Sequence, residues 1–179
     1  VSDPANGDNE QLQQYAEIIR DLRISHEAGH AVLGERFGYV LEHLSLDVSV
    51  VSPEGGTGGT AEIQFRMYHK RSDFPKQLQD IATVLMGGRA AEELAYPHLA
   101  RDSHWQMDIS DFKRRVSEFR GDAEMDALLD EGHRRAKVLL RNTEVSEQHD
   151  RLRRFLKTNP LPQRPNGNYL RRVMKGLSP

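Results

Sequence analysis

The sequence predicts a mainly α fold with one small β-hairpin or sheet, and three observations carry that expectation. Apolar residues recur at helical spacing in several separate segments. One segment, lying between two of these, alternates instead around a glycine-rich centre. Charged residues make up 29% of the 179-residue chain and apolar ones 37%, a balance that favours well-solvated helices over strands. The length fits one domain, or a domain with a small appendage, large enough to bury a core.

Taken in order, residues 1–9 are expected to be a disordered lead-in, residues 10–159 the domain, and residues 160–179 a proline-containing basic tail. From Glu10 to Phe37 the stripe Tyr15, Ile18, Ile19, Leu22, His26, Gly29, Leu33 and Phe37 has a helical period, and Gly38 is placed to stop it. "LEHLSLDVSVVSPEGGTGGTAEIQF" reads as a strand–loop–strand around "SPEGGTGG". "KQLQDIATVLMGGRAAEELAY" reads as a second helix closed by Pro97. Gly87 and Gly88 cost that helix roughly 1 kcal/mol each against alanine. Such a pair marks a close approach of another backbone, and the first helix, with Gly29 and Gly34, is the natural partner. A third helix starts near Met107 with Ile109, Phe112, Val116 and Phe119 as its stripe. Residues 122–157 read as a closing helical hairpin, with Thr143 as the second N-cap. The tail beyond Asn159 either docks or stays loose.

Composition also bounds partners. The absence of cysteine excludes disulfides and thiolate metal sites, so any metal is held by imidazole and carboxylate. It fits a reducing compartment, and a cytoplasmic location is expected. No apolar run approaches the ~20 residues that span a bilayer. Residues 1–131 carry 13 Lys+Arg against 24 Asp+Glu, whereas residues 132–179 carry 12 against 3. A basic end of this kind suits an acidic neighbour or a solvated helix face. Without interleaved aromatics or recognition loops, nucleic acid is not expected as a partner.

The residues that carry chemistry lie in "RISHEAGHAVLGERFG". Histidines four apart on a helix place both imidazoles on one face, where they can share a zinc ion. The glutamate between them, Glu27, then points at the open coordination position as a general base. A chain of this composition contains such a match by chance roughly 3 times in 100, so the plainer reading is two hydrogen-bonded histidines in a packed helix. The small residues Ala28 and Gly29 weigh against that reading, because they let substrate and a neighbouring helix approach. The extended HExxHxxGxxH pattern is missing, since residue 36 is arginine. A third ligand therefore comes from elsewhere, among Glu92, Glu93, Asp102, His104, Asp108 and Asp111. Asp108 is four residues from Phe112 and sits beside the third helix's stripe, whereas Asp111 falls on the polar side with Arg114 and Arg115. For Glu92 and Glu93, a salt bridge with Arg89 or a helix-packing contact ranks ahead of ligation. Two imidazoles and one carboxylate also suit iron(II).

Several segments together resemble the peptidase domain of the FtsH-type ATP-dependent zinc metalloproteases. "HEAGHAVLG" looks like that family's zinc helix, and "LMGGRAAEELAY" is similar to its GGRAAEE segment. "MDISDFKRRV" sits where the family carries its aspartate ligand, and the region 131–156 resembles its closing hairpin. The resemblance covers residues 15–157. It implies an FtsH-peptidase-like fold, with zinc on His26, His30 and Asp108 and Glu27 as general base. "SPEGGTGGTAEI" is similar to the segment near the family's substrate-pairing edge strand. That likeness implies substrate backbone at Gly55, Gly56, Gly58, Gly59 and Thr60, in a sequence-tolerant mode. Methionine replaces the family's asparagine before Asp108, the loop "RDSHWQ" differs, and the chain carries no phosphate-binding Gly-Lys loop.

The expected function is a zinc-dependent endopeptidase acting on unfolded or flexible polypeptides. An ATPase or unfoldase is expected as a partner, acting in trans or within a longer parent chain, and the domain is able to form oligomers. The alternative is a catalytically silent peptidase fold that holds a peptide or partner protein. Tyr68, His69 and His104 are the candidates for stabilising the oxyanion.

Overall fold

A computed structural model describes residues 4–47, 58–64, 74–99, 105–116, 121–159 and 166–178. The protein is mainly helical. Its elements run α1 (Pro4–Arg36), β1 (Val40–Asp47), β2 (Gly58–Gln64), α2 (Phe74–Leu85), α3 (Gly87–Ala95), α4 (Gln106–Val116), α5 (Asp122–Leu140), α6 (Thr143–Thr158) and α7 (Gly167–Met174).

α1 starts at Pro4, so residues 4–9, expected to be disordered, are helical. Proline at a helix start has its φ already set and gives up only an N–H that would be unpaired there. Residues 13–15 are exposed, so Tyr15 is not part of a buried stripe. From Leu22 to Leu33 the pattern changes, because residues on every side of the helix are buried. The cause is its central position, enclosed by α3, α6, α2, α5 and both strands. A helix enclosed on all sides shows no single apolar face. Gly38 ends it with φ of 76°, its N–H bonding Glu35 O and that of Tyr39 bonding Gly34 O. This is the Schellman closure, for which glycine has no steric penalty.

β1 and β2 pair antiparallel, from Val40 opposite Gln64 to Asp47 opposite Gly58, with an irregularity between Leu41 and His43. The sheet has two strands among the described residues. The outer edge of β1 meets the start of α7, where a Cβ on Gly167 would collide with the Leu41 carbonyl.

The segment read as one helix over 76–96 is two helices, α2 and α3, separated at Met86. Glycine lowers the cost of leaving the helical path, and the break lets α3 lie flat on α1. A Cβ on Gly29 would sit 2.5 Å from Gly87 O and 2.8 Å from Ala91 Cβ, so these backbones touch. Both glycines thus meet the first helix, as expected, Gly87 at Gly29 and Gly88 at the His26 and His30 side chains. Gly132 makes a similar approach of α5 to α2, 2.7 Å from Ala82 C by the same measure.

α5 buries Met125, Leu129, Gly132, Ala136 and Leu140, and α6 buries Val145, Leu152 and Leu156, each on one stripe. The expected N-cap, Thr143, is instead the first helical residue. Asn142 caps α6, its side chain accepting from Glu144 N–H, and asparagine serves that role slightly better than threonine. Within the tail, α7 docks on α6 and β1. It buries Leu170 and Met174, and Arg171 Nε meets Glu35 Oε2 at 2.7 Å.

α6 is also tied to α1 by polar groups. Asp21 accepts from Arg153 Nε at 3.0 Å, pairs with Lys157 Nζ at 2.8 Å, and takes further bonds from Arg153 Nη2 and the Tyr96 hydroxyl. Burial alone would raise the Asp21 carboxyl, but these donors outweigh it and lower it to about 2. One turn further on, His149 Nε2 reaches the Ser25 carbonyl at 3.1 Å. No described helix is long and apolar enough to cross a membrane.

Candidate metal centre

His26 and His30 stand one turn apart on the enclosed part of α1, and both are buried. Each has one ring nitrogen committed. His26 Nδ1 is 2.8 Å from Glu92 Oε1, and a carboxylate only accepts, so Nδ1 carries the proton. His30 Nδ1 donates to Val84 O at 2.8 Å. Val84 lies in the last turn of α2, whose carbonyls have no donor inside their own helix. The break at Met86 therefore supplies the acceptor that orients His30.

With both Nδ1 protons placed, the Nε2 atoms of the neutral rings carry lone pairs, and they lie 3.0 Å apart. Asp108 Oδ2, from the first turn of α4, is 3.2 Å from His26 Nε2 and 3.4 Å from His30 Nε2. It is buried and has no hydrogen-bond partner. Three electron-rich atoms thus converge on one point, an arrangement that needs a proton or a cation there. Tetrahedral zinc with bonds of about 2.0–2.1 Å holds its donors about 3.3–3.4 Å apart, close to these spacings. His26, His30 and Asp108 form one group able to hold a metal ion among the described residues.

The electrostatics carry the same demand for positive charge. Burial would depress the His26 imidazole, but the carboxylates of Asp108 and Glu92 beside it and the charge of Glu27 raise it to about 10. Burial would raise Asp108, and the neighbouring His30 and His26 instead hold it far below the ordinary carboxylate range.

Gly88 keeps the space beside the imidazoles clear. A Cβ there would lie 2.5 Å from His26 Cε1 and Nε2 and 2.6 Å from His30 Nε2. Glu27 is buried on the same helix, with Arg23 Nε 3.3 Å from its Oε1.

The two glutamates of α3 divide. Glu93 bonds Arg89 at 2.9 Å and faces His133 and Lys137, the salt-bridge role expected for it. Glu92 is 1% exposed and holds the His26 ring through its Nδ1–H, a role different from the salt bridge with Arg89 expected for it. That role had a legible trace, since Gly88, Ala91 and Glu92 share one helical face and Arg89 and Glu93 another. The Val84 carbonyl had none. Asp111 pairs with Arg114, on the polar side as expected. Gly58, Gly59 and Thr60 lie on β2 opposite Asp47, Leu46 and Ser45. Gly55, Gly56, Tyr68, His69, Asp102, His104 and Phe119 lie outside the described residues.

No protein-family model matches this chain, and no curated protein matches it.

Proposed function

We propose that this chain is a zinc-dependent endopeptidase of the FtsH-peptidase type, hydrolysing bonds in unfolded or flexible polypeptides. The observation that carries the reading is the convergence of two imidazole lone pairs and the unpartnered Asp108 oxygen, with both Nδ1 protons held elsewhere.

His26, His30 and Asp108 would hold the ion, and Glu92 and Val84 O keep the rings aimed. Bound zinc supplies a Lewis acid and an acidified water. Glu27, adjacent to His26 in sequence and buried, is the group that takes the proton from the attacking water and returns it to the leaving amine. Its pairing with Arg23 fixes one carboxylate oxygen and leaves the other for that proton. The substrate backbone pairs with the outer edge of β2, which has no strand on it among the described residues. The corresponding edge of β1 is met by α7. Folded proteins are poor substrates without an unfoldase, whether in trans or in a longer parent chain.

The Arg23–Glu27 pair also favours the second reading, a silent fold that binds a peptide without turnover, because a carboxylate held by a guanidinium is less free to turn toward an attacking water. Elemental analysis of the wild type and Asp108→Ala, with cleavage of an unstructured protein by the wild type and Glu27→Gln, separates the two. Near-stoichiometric zinc that is lost in Asp108→Ala, with cleavage lost in Glu27→Gln, is the expected result. Bound zinc without cleavage by the wild type selects the silent fold, and no metal in the wild type overturns both.

A further inference from the structure

We propose that Trp105 and Arg89 form a clamp that seats Asp108 against the two histidines, which makes both of them positioning residues for the third ligand. The proposal rests on reading His26, His30 and Asp108 as a metal site.

Trp105, Asp108, Phe112 and Val116 are spaced so that they share one face of the α4 segment. Phe112 and Val116 bury the C-terminal half of that face, 0% and 3% exposed, where α4 packs on α2 and α5. Trp105, also 3% exposed, is the matching anchor at the other end, one turn before Asp108. Its ring lies under the Arg89 guanidinium, 4.6 Å from carbon to ring centroid.

Arg89 is itself held in place. Its Nε donates to Glu93 Oε1 at 2.9 Å, and Glu93 Oε2 takes Lys137 Nζ and His133 Nε2 of α5, each at 3.0 Å. The cation over the indole is therefore fixed by two helices. Arg89 also follows Gly88, the residue whose backbone faces both imidazoles. One turn of α3 thus meets the histidines through Gly88 and the start of α4 through Arg89. That common origin registers Asp108 to within the few tenths of an ångström that shared coordination requires. Phe112 and Val116 anchor only the far end of α4, so Asp108 in its first turn depends on the contacts made at the near end.

The test is zinc affinity of the full chain, measured by competition with a chromophoric chelator. Arg89→Met and Trp105→Ala are expected to bind zinc roughly tenfold more weakly than wild type, at unchanged stoichiometry and helical content. Trp105→Phe keeps a ring under the cation and recovers most of the affinity. Arg89→Lys keeps the charge but not the planar stack and falls between. Trp105 is the only tryptophan in the chain, so its emission should change along the zinc titration and saturate at equivalence. Should Trp105→Ala fail to fold, Arg89→Met, at a partly exposed site, decides. Wild-type affinity in Arg89→Met, with zinc lost in Asp108→Ala, overturns the clamp and leaves the metal reading standing. Emission indifferent to zinc in a wild type that binds it also overturns the clamp. No zinc uptake by wild type overturns both.

Discussion

Asp21 and Asp108 are both acidic groups held at α1, and their surroundings are opposite. Asp21 meets Arg153, Lys157 and the Tyr96 hydroxyl, so each of its oxygens has donors and its charge is more than matched. Asp108 faces two imidazoles whose free nitrogens are acceptors when neutral, and its Oδ2 is buried without a hydrogen bond. A completed ion-pair cluster fastens one helix to another. An incomplete one is short of positive charge, and among the described residues His26, His30 and Asp108 are the group whose ligand atoms converge on one point. The comparison separates a polar group that stabilises from one arranged for a ligand, although both are carboxylates beside basic residues.

A reciprocal pair of substitutions tests this most strongly. Asp108→Ala should weaken zinc binding by roughly 100-fold or more, beyond the cost of losing an outer-shell contact. Asp21→Asn should leave zinc affinity unchanged and cost about 2–3 kcal/mol in denaturant unfolding. That is below the range for a fully buried pair, because Arg153 and Lys157 are partly exposed. Added zinc should then raise the melting temperature of the wild type and of Asp21→Asn, but not of Asp108→Ala. Equal responses in both variants would erase the distinction. Gly88→Ala extends the test without touching charge, since its methyl enters the space beside both imidazoles. Zinc uptake should fall as far as in Asp108→Ala, and normal uptake would mean the rings do not bind where they now point.

How far these differences could be read in the sequence depends on their range along the chain. The helical pair His26 and His30, the inward face of Asp108 and the contact of Gly87 with the first helix follow from spacing and residue size. The break at Met86 did not follow, because glycine lowers the cost of a kink without saying which carbonyl the kink exposes. Val84 O therefore had no trace in side-chain pattern. The role of Asp21 has no local signal for another reason: its partners Arg153 and Lys157 lie about 130 residues away, and periodicity within one helix carries no information on such pairs. The all-round burial of α1 was hidden by the same limit, since enclosure is set by what packs around a helix.

Glu92→Gln sharpens the metal side at a smaller scale. It keeps the shape and an acceptor for His26 Nδ1–H but removes the charge, so zinc affinity should fall by about 10–100-fold while stoichiometry holds. Glu93→Gln, one residue on, should affect zinc far less, because it acts through Arg89 rather than on a ligand. A larger loss from Glu93→Gln would reverse the roles assigned to the two glutamates.

The last test uses pH on the structural side of the comparison. The folded Asp21 carboxyl lies at about 2 against an ordinary 3.8, so its contribution is present above the ordinary value and is lost as pH falls toward 2. After allowance for solvent screening this amounts to about 1–2 kcal/mol, and Asp21→Asn should flatten unfolding free energy between pH 4 and 2. His149 acts at milder acidity and more weakly. Burial depresses its imidazole, with the Ser25 carbonyl and Asp150 opposing in part. A depressed histidine favours the folded state when neutral, so stability should decline as pH drops below 6.5 and level off below the folded value. His149→Gln should remove that slope in metal-free protein. The metal-free form is the one to use, since the raised His26 changes stability only as pH rises from 6.5 toward 10, whereas bound zinc needs deprotonated ligands and would add its own loss below pH 6.5. A slope below pH 6.5 that persists in His149→Gln would place the titrating group elsewhere than at the contact between α6 and α1.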